Sequence, residues 1–123
     1  MTTASQSGSS TAAQFTPIEK ANIHNTAVLA STNFLGTDIT PTNSPSRLII
    51  QVAMTTSGNL TAQITKGGNT QSVIFNVSLG PALVANGLYI FEILIHSGDS
   101  VNFQYSVGST IQVFRVQEID ASS

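Results

Sequence analysis

The chain has 123 residues, of which only 8% are charged, and its formal net charge is -2. An ordinary soluble domain carries roughly 25% charged residues, so neutral polar groups or neighbouring subunits must cover much of this surface. The basic residues are scattered, which excludes the clustered positive charge that nucleic acids and anionic membranes need. They are Lys20, Arg47, Lys66 and Arg115. Cysteine is absent, so disulfides and thiolate metal sites are excluded. Tryptophan is absent as well, which disfavours a site that stacks sugars.

Residues 1–14 are small and polar and have no apolar period. Such a segment cannot offset its own ordering entropy, so it is predicted to be a flexible arm ahead of a single domain over residues 15–123. A free tail and an arm that orders against a neighbouring subunit both stay open. The segment lacks the basic and apolar regions of a secretory signal, and no stretch of the chain is apolar enough to span a membrane.

The first element of the domain has two interpretations. Thr16 as a cap, Pro17 at the first helical position and Glu19 closing a capping box favour a single helical turn over residues 15–20. An edge strand is the alternative. Residues 27–35 are predicted to form the opening strand, and residues 37–46, which contain two prolines, a surface loop.

Alternation of apolar and polar residues predicts six further strands. The clearest covers residues 101–107 and places Val101, Phe103 and Tyr105 on the core face. Residues 88–95 are apolar on both faces, which predicts a strand that is central or covered on each side. The last strand also carries apolar groups on both faces and is predicted to have neighbours on each side. The six ranges are 47–54, 60–66, 71–77, 88–95, 101–107 and 110–119.

Turn residues separate these strands. Residues 55–59, residues 66–70 and residues 108–109 each predict a hairpin, and Gly67 and Gly68 supply the positive φ values that a tight hairpin needs. About seven strands with this spacing predict an all-β fold: a single antiparallel β-sandwich of the jelly-roll or Greek-key type.

The best local group of titratable residues is Glu92, His96 and Asp99. Glu92 and His96 face the same way on a strand, but four residues separate them by about 13 Å, too far for an acid and base pair. The segment from His96 to Asp99 is therefore interpreted as a turn, with Gly98 supplying the unusual backbone angle.

A metal site made of His24, His96 and Asp38 would need the fold to bring them together, and no spacing indicates one. The sequence thus predicts no catalytic, cofactor-binding or metal-ligating residues, and no enzyme activity.

Four aromatic residues offer a ligand platform on a sheet as an alternative to core packing: Tyr89, Phe103, Tyr105 and Phe114. The clean alternation around Phe103 and Tyr105 favours the core. Stacking of nucleic-acid bases is further disfavoured because a positive groove is missing.

Three features carry a resemblance to a known class of proteins. They are the composition, poor in charge and rich in Ser, Thr and Asn, the flexible leading arm, and residues 98–106 followed by residues 111–119. In these features the chain resembles small β-sandwich or jelly-roll virion proteins, the capsid decoration, spike and tail-associated subunits of phages and archaeal viruses. The resemblance implies attachment to a larger shell, commonly as trimers, a location in a virion or extracellular particle, and no catalytic residues.

The sequence therefore predicts a non-enzymatic structural protein that forms a homo-oligomer, with no cofactor, no nucleic acid and no membrane insertion. One alternative is a carbohydrate- or receptor-binding sandwich whose ligand loops are residues 37–46 and 80–87. Another is an extracellular filament subunit assembled by strand exchange.

Overall fold

The computed structural model describes residues 16–75 and 82–121. These residues form seven strands and no helix, which confirms the all-β prediction. The predicted arm, residues 1–14, lies outside the described residues. The strands are β1 (Ile18–Val28), β2 (Ser46–Met54), β3 (Leu60–Lys66), β4 (Asn69–Ile74), β5 (Leu88–Ile95), β6 (Asp99–Tyr105) and β7 (Ser109–Asp120).

The strands form two antiparallel sheets that share one core. The four-stranded sheet has the order β1-β7-β2-β5, and the three-stranded sheet has the order β4-β3-β6. Between β1 and β2, Ile39 makes an isolated bridge with Val101 of β6, where an eighth strand would lie. With that bridge counted as a strand, the order is that of a jelly roll, which agrees with the predicted sandwich.

One predicted hairpin is correct and two are wrong. Gly67 and Gly68 have φ values of 58° and 82° and join the neighbouring strands β3 and β4. By contrast, residues 55–59 and 108–109 lead the chain from one sheet to the other. Turn residues reverse the chain, but they do not decide whether the flanking strands pair.

The first element is a strand, so the helical turn is wrong and the edge-strand alternative is correct. β1 pairs with β7 from Ile18 to Val28, because the ladder satisfies its backbone and because Ala21 and Ile23 pack against the core. The predicted opening strand over residues 27–35 is also wrong. Its first two residues finish β1, and the remainder crosses to the edge of β6, where the Ser31 backbone N–H donates to the Tyr105 carbonyl at 2.7 Å.

The positions of two later strands decide which surfaces are open. β7 lies between β1 and β2, which confirms that it has a neighbour on each side. β5 was predicted to be central or covered on both faces, and this is wrong: it is an edge strand. Its odd-numbered residues face the core, whereas Leu88, Ile90 and Leu94 are exposed.

The core fills the space between the sheets. Val101, Phe103 and Tyr105 are buried as predicted. In β4, Val73 lies opposite buried Ala62 but is 44% exposed, since β4 is the last strand of its sheet. The largest fully buried side chains are Tyr105, Phe103, Phe114, Leu48, Ile50, Met54, Leu60, Leu83, Ile95, Ile111, Glu118 and Val52.

Candidate functional site

The structure places Glu92 apart from His96 and Asp99, the other two titratable residues considered above. Glu92 lies on the outer face of the four-stranded sheet, where its carboxylate accepts a hydrogen bond from Arg47 at 3.0 Å. His96 and Asp99 form the turn that the sequence predicts: the His96 backbone N–H donates to the Asp99 carboxylate at 2.8 Å, and Gly98 has a φ of 91°. This geometry holds a turn in place.

The three residues considered for a metal also stay apart. Asp38 accepts a hydrogen bond from the Asn102 side chain at 2.8 Å, and His24 lies on β1 with its Nε2 3.4 Å from an Arg115 nitrogen. His96 occupies the turn between β5 and β6. Among the described residues, no group of three or more His, Asp or Glu side chains could hold a metal ion.

The four aromatic residues belong to the core side of the sheets. Phe103, Phe114 and Tyr105 are buried, and the rings of Phe103 and Phe114 meet edge to face with centroids 5.1 Å apart. Tyr89 is half-buried on the core side of β5, and its hydroxyl accepts a hydrogen bond from the Val84 N–H at 3.0 Å. Core packing is confirmed over the ligand platform.

The sequence analysis missed a buried carboxylate, that of Glu118. Its side chain is completely buried, and it accepts hydrogen bonds from the Thr42 N–H at 2.8 Å, the Asn43 N–H at 2.9 Å and the Ser46 hydroxyl at 2.6 Å. Lys20 Nζ completes the set at 3.1 Å. The carboxylate therefore joins β1, β2, β7 and the loop between β1 and β2.

A β-bulge points Lys20 at this carboxylate. The register of β1 against β7 shifts between Glu19 and Ala21, so Lys20 is the extra residue, and a bulge of this kind re-aims a side chain. The ammonium group also donates to the Thr40 carbonyl and the Thr42 hydroxyl. All three of its protons are thus used within the protein.

The hydrogen bonds to Glu118 outweigh the cost of its burial. Burial alone would raise the pKa of the carboxyl, but Ser46, Asn43, Thr42 and Lys20 donate to its charged form and lower the pKa from 4.5 to about 2. The carboxylate therefore stays ionised at neutral pH. It ties down the loop over residues 37–46, one of the two loops predicted as ligand loops.

One side of the sandwich is not covered by any of the described residues. β5 ends the four-stranded sheet, β4 ends the three-stranded sheet, and the stacked rings of Phe75 and Phe91, 4.8 Å apart, place these two ends together. We call this the open side and define it by β4 and β5. Seven large apolar side chains are exposed in the described part of the chain: Leu88, Ile90, Leu94, Val73 and Ile74 on the open side, Val84 in the connection that leads into β5, and Leu29 after β1.

A shallow depression of about 230 Å³ lies on the outer face of the four-stranded sheet beside the open side. Its lining combines apolar and hydrogen-bonding groups: Ile49, Gln51, Ile90, Arg115 and Gln117. Within residues 16–75 and 82–121, Arg115 makes no ion pair. The depression can therefore offer a guanidinium and two amides over an apolar floor.

Comparison with protein families, with curated proteins and with solved structures finds no match for this chain. In the described residues there is no helix long and apolar enough to cross a membrane.

Proposed function

We propose that this protein is a non-enzymatic structural subunit that assembles with copies of itself. The observation that carries the proposal is the open side, where two sheets end together and five of the exposed large apolar side chains of the described residues lie. Exposed apolar side chains on an unpaired edge strand are typical of an interaction surface, because such an edge otherwise promotes unwanted aggregation.

The low charge supports the same proposal. Proteins that work as monomers keep themselves dispersed with charged residues, and this chain has only ten among its 123 residues. On the outer side of β5 the only charge is Glu92, and Arg47 binds it. A surface of this composition loses little charge solvation when a second protein covers it.

The finer form of the proposal is a virion component, such as a capsid decoration, spike or tail-associated subunit. It rests on the resemblance in composition and sequence given above and on the jelly-roll strand order. That order occurs in viral capsid domains and in lectins alike, so the fold alone does not choose between them. Electron microscopy of native material labelled with an antibody would show the protein on a particle, in fibres or free.

Sedimentation velocity over a range of concentrations tests self-assembly. We expect the native protein to sediment as a multiple of the chain mass, and the variant Ile90→Glu to shift toward the monomer because it places a negative charge in a contact that already contains Glu92. Leu29→Glu is the matched control, since Leu29 is 75% exposed and follows β1 at the opposite edge of the sheet. A native protein that stays monomeric at every concentration and binds no particle would overturn the proposal.

The second candidate function is a carbohydrate- or receptor-binding module, and the depression favours it. Sugar sites combine apolar surface with a few oriented polar groups, and Arg115, Gln51 and Gln117 supply such groups. Glycan-array binding by the native protein that Arg115→Ala abolishes and Arg47→Ala preserves would support this function. Arg47 is the suitable control because it lies on the same sheet, has its own partner Glu92 and does not line the depression.

A further inference from the structure

The four sheet edges differ in how they are protected. β1 carries a bulge at Lys20 and two charged residues, and both features discourage pairing with another chain. β6 is covered by residues 31–39, which donate backbone hydrogen bonds to it at Tyr105, Phe103 and Val101. Among the described residues, nothing covers the outer edge of β4 or β5.

β5 has the features of a strand built for pairing. Its register with β2 runs without interruption from Leu88 to Ile95, so it contains no bulge along those eight residues. Proline and lysine, which commonly block edge strands, are absent from it. Its single charged residue is Glu92, and Arg47 of β2 holds that carboxylate at 3.0 Å.

We infer that β5 pairs antiparallel with β5 of a second copy across a two-fold axis at Phe91, which joins the two four-stranded sheets into one sheet of eight strands. The inference rests on the proposed self-assembly and names the surface that performs it. A two-fold pair buries the same edge in both copies and leaves neither edge free.

The side chains of β5 select this register. Opposite residues of an antiparallel pair lie on the same face, and a two-fold axis must pass through a residue for the exposed faces to match. An axis at Glu92 sets two carboxylates against each other. Axes at Ile90 and at Phe91 both set an apolar residue opposite Glu92, which keeps its own Arg47, but only the axis at Phe91 sets Leu88 opposite Leu94 of the second copy at both ends.

The composition of the chain favours a second copy over the segment before β1 as the occupant. Residues 1–14 consist mainly of Ser, Thr, Ala and Gln and contain no Leu, Ile or Val, so they have little apolar surface with which to cover Leu88, Ile90 and Leu94.

Disulfide trapping tests the register cleanly, because the chain contains no cysteine. The double variant Leu88→Cys/Leu94→Cys places thiols directly opposite each other across the proposed interface, at a separation compatible with a disulfide. Each single variant is a control, since the two copies of either residue lie about 20 Å apart in this register. Both positions are more than half exposed, so the fold should not depend on them, and thermal melts verify this.

On mild oxidation, the double variant should run almost entirely as a disulfide-linked dimer, whereas the single variants and Leu29→Cys should stay monomeric on non-reducing gels. Native protein that assembles while the double variant links no better than Leu29→Cys would overturn the inference and leave the proposed function standing. Efficient linking by Ile90→Cys alone would overturn the register. If removal of residues 1–14 abolishes assembly and no disulfide forms at β5, the leading segment is the occupant and the inference is wrong.

Discussion

The buried carboxylate of Glu118 makes a quantitative prediction about stability. One pKa unit corresponds to about 1.4 kcal/mol, so lowering the pKa from 4.5 to about 2 corresponds to about 3 kcal/mol of folding stability at neutral pH. Glu118→Gln keeps the shape but removes the charge, and it turns an amide donor toward groups that are themselves donors. We expect it to lower the free energy of unfolding by about 3 kcal/mol, as for other broken buried ion pairs.

Two control variants distinguish the contribution of the buried carboxylate to stability from that of Lys20 and from that of an exposed ion pair. Lys20→Met should cost less than Glu118→Gln, because the Thr42, Asn43 and Ser46 donors remain. Glu92→Gln makes the same chemical change at an exposed ion pair and should cost less than about 1 kcal/mol. Urea denaturation followed by circular dichroism measures all three variants.

The effect of Glu118→Gln depends on pH in a defined direction. Folding lowers the pKa of Glu118, so the stabilisation is fully present above the unfolded pKa of 4.5 and is lost as the pH falls toward 2. The difference between the native protein and the variant should therefore shrink from about 3 kcal/mol at pH 7 to about 1 kcal/mol at pH 3. A variant within 1 kcal/mol of the native protein at pH 7, or a difference that stays constant down to pH 3, would refute the reasoning.

Three further substitutions, with Gly36→Ala as a control, test the core. Phe103→Ala should cost about 3 to 5 kcal/mol in urea denaturation, because Phe103 is fully buried; an unchanged melt would place this side chain outside the core. Gly58→Ala should cost about 1 to 3 kcal/mol, because a Cβ there would lie 2.9 Å from the Tyr105 ring. Gly36→Ala should be neutral, because a Cβ at that position has nothing within 4 Å. Equal effects of the two substitutions on stability would contradict this packing. Tyr105→Phe loses the hydrogen bond to the Thr56 carbonyl and should cost about 1 kcal/mol. Because burial raises the pKa of Tyr105 to about 12, this variant should also lack the high-pH step in a tyrosine absorbance titration, and a step that persists would contradict the assignment.

The fold was predictable where one face of a strand meets the core. The alternation in β2, β3 and β6 marks the buried face directly, because a strand's side chains alternate between its two faces. β5 was misplaced because residues that are apolar on both faces are expected in a central strand and also in an edge strand with an interaction surface. The sequence shows that Leu88 and Ile90 are apolar, but it does not show which part of the protein, or which partner, packs against them.

The buried carboxylate left only a weak signal in the sequence. Glu118 continues the spacing of Phe114 and Val116, which places all three on the same face of β7, so its burial could have been inferred from the alternation. Its partner Lys20 is distant along the chain and reaches it only because of a bulge. Local spacing cannot predict such a bulge, because it arises from how two strands pair.

Among the residues that the structure describes, the sandwich has one flank where the β6 edge is covered and one bare flank, along β4 and β5. Edge-to-edge pairing through the bare flank would cover that flank in both partners. Such pairing would therefore end at a dimer and would not grow into a fibre. Any larger body built on that joint would contain an even number of chains and would need a second, chemically different contact to bring the pairs together. In a native particle with an odd number of copies, at least one bare flank would therefore remain unpaired.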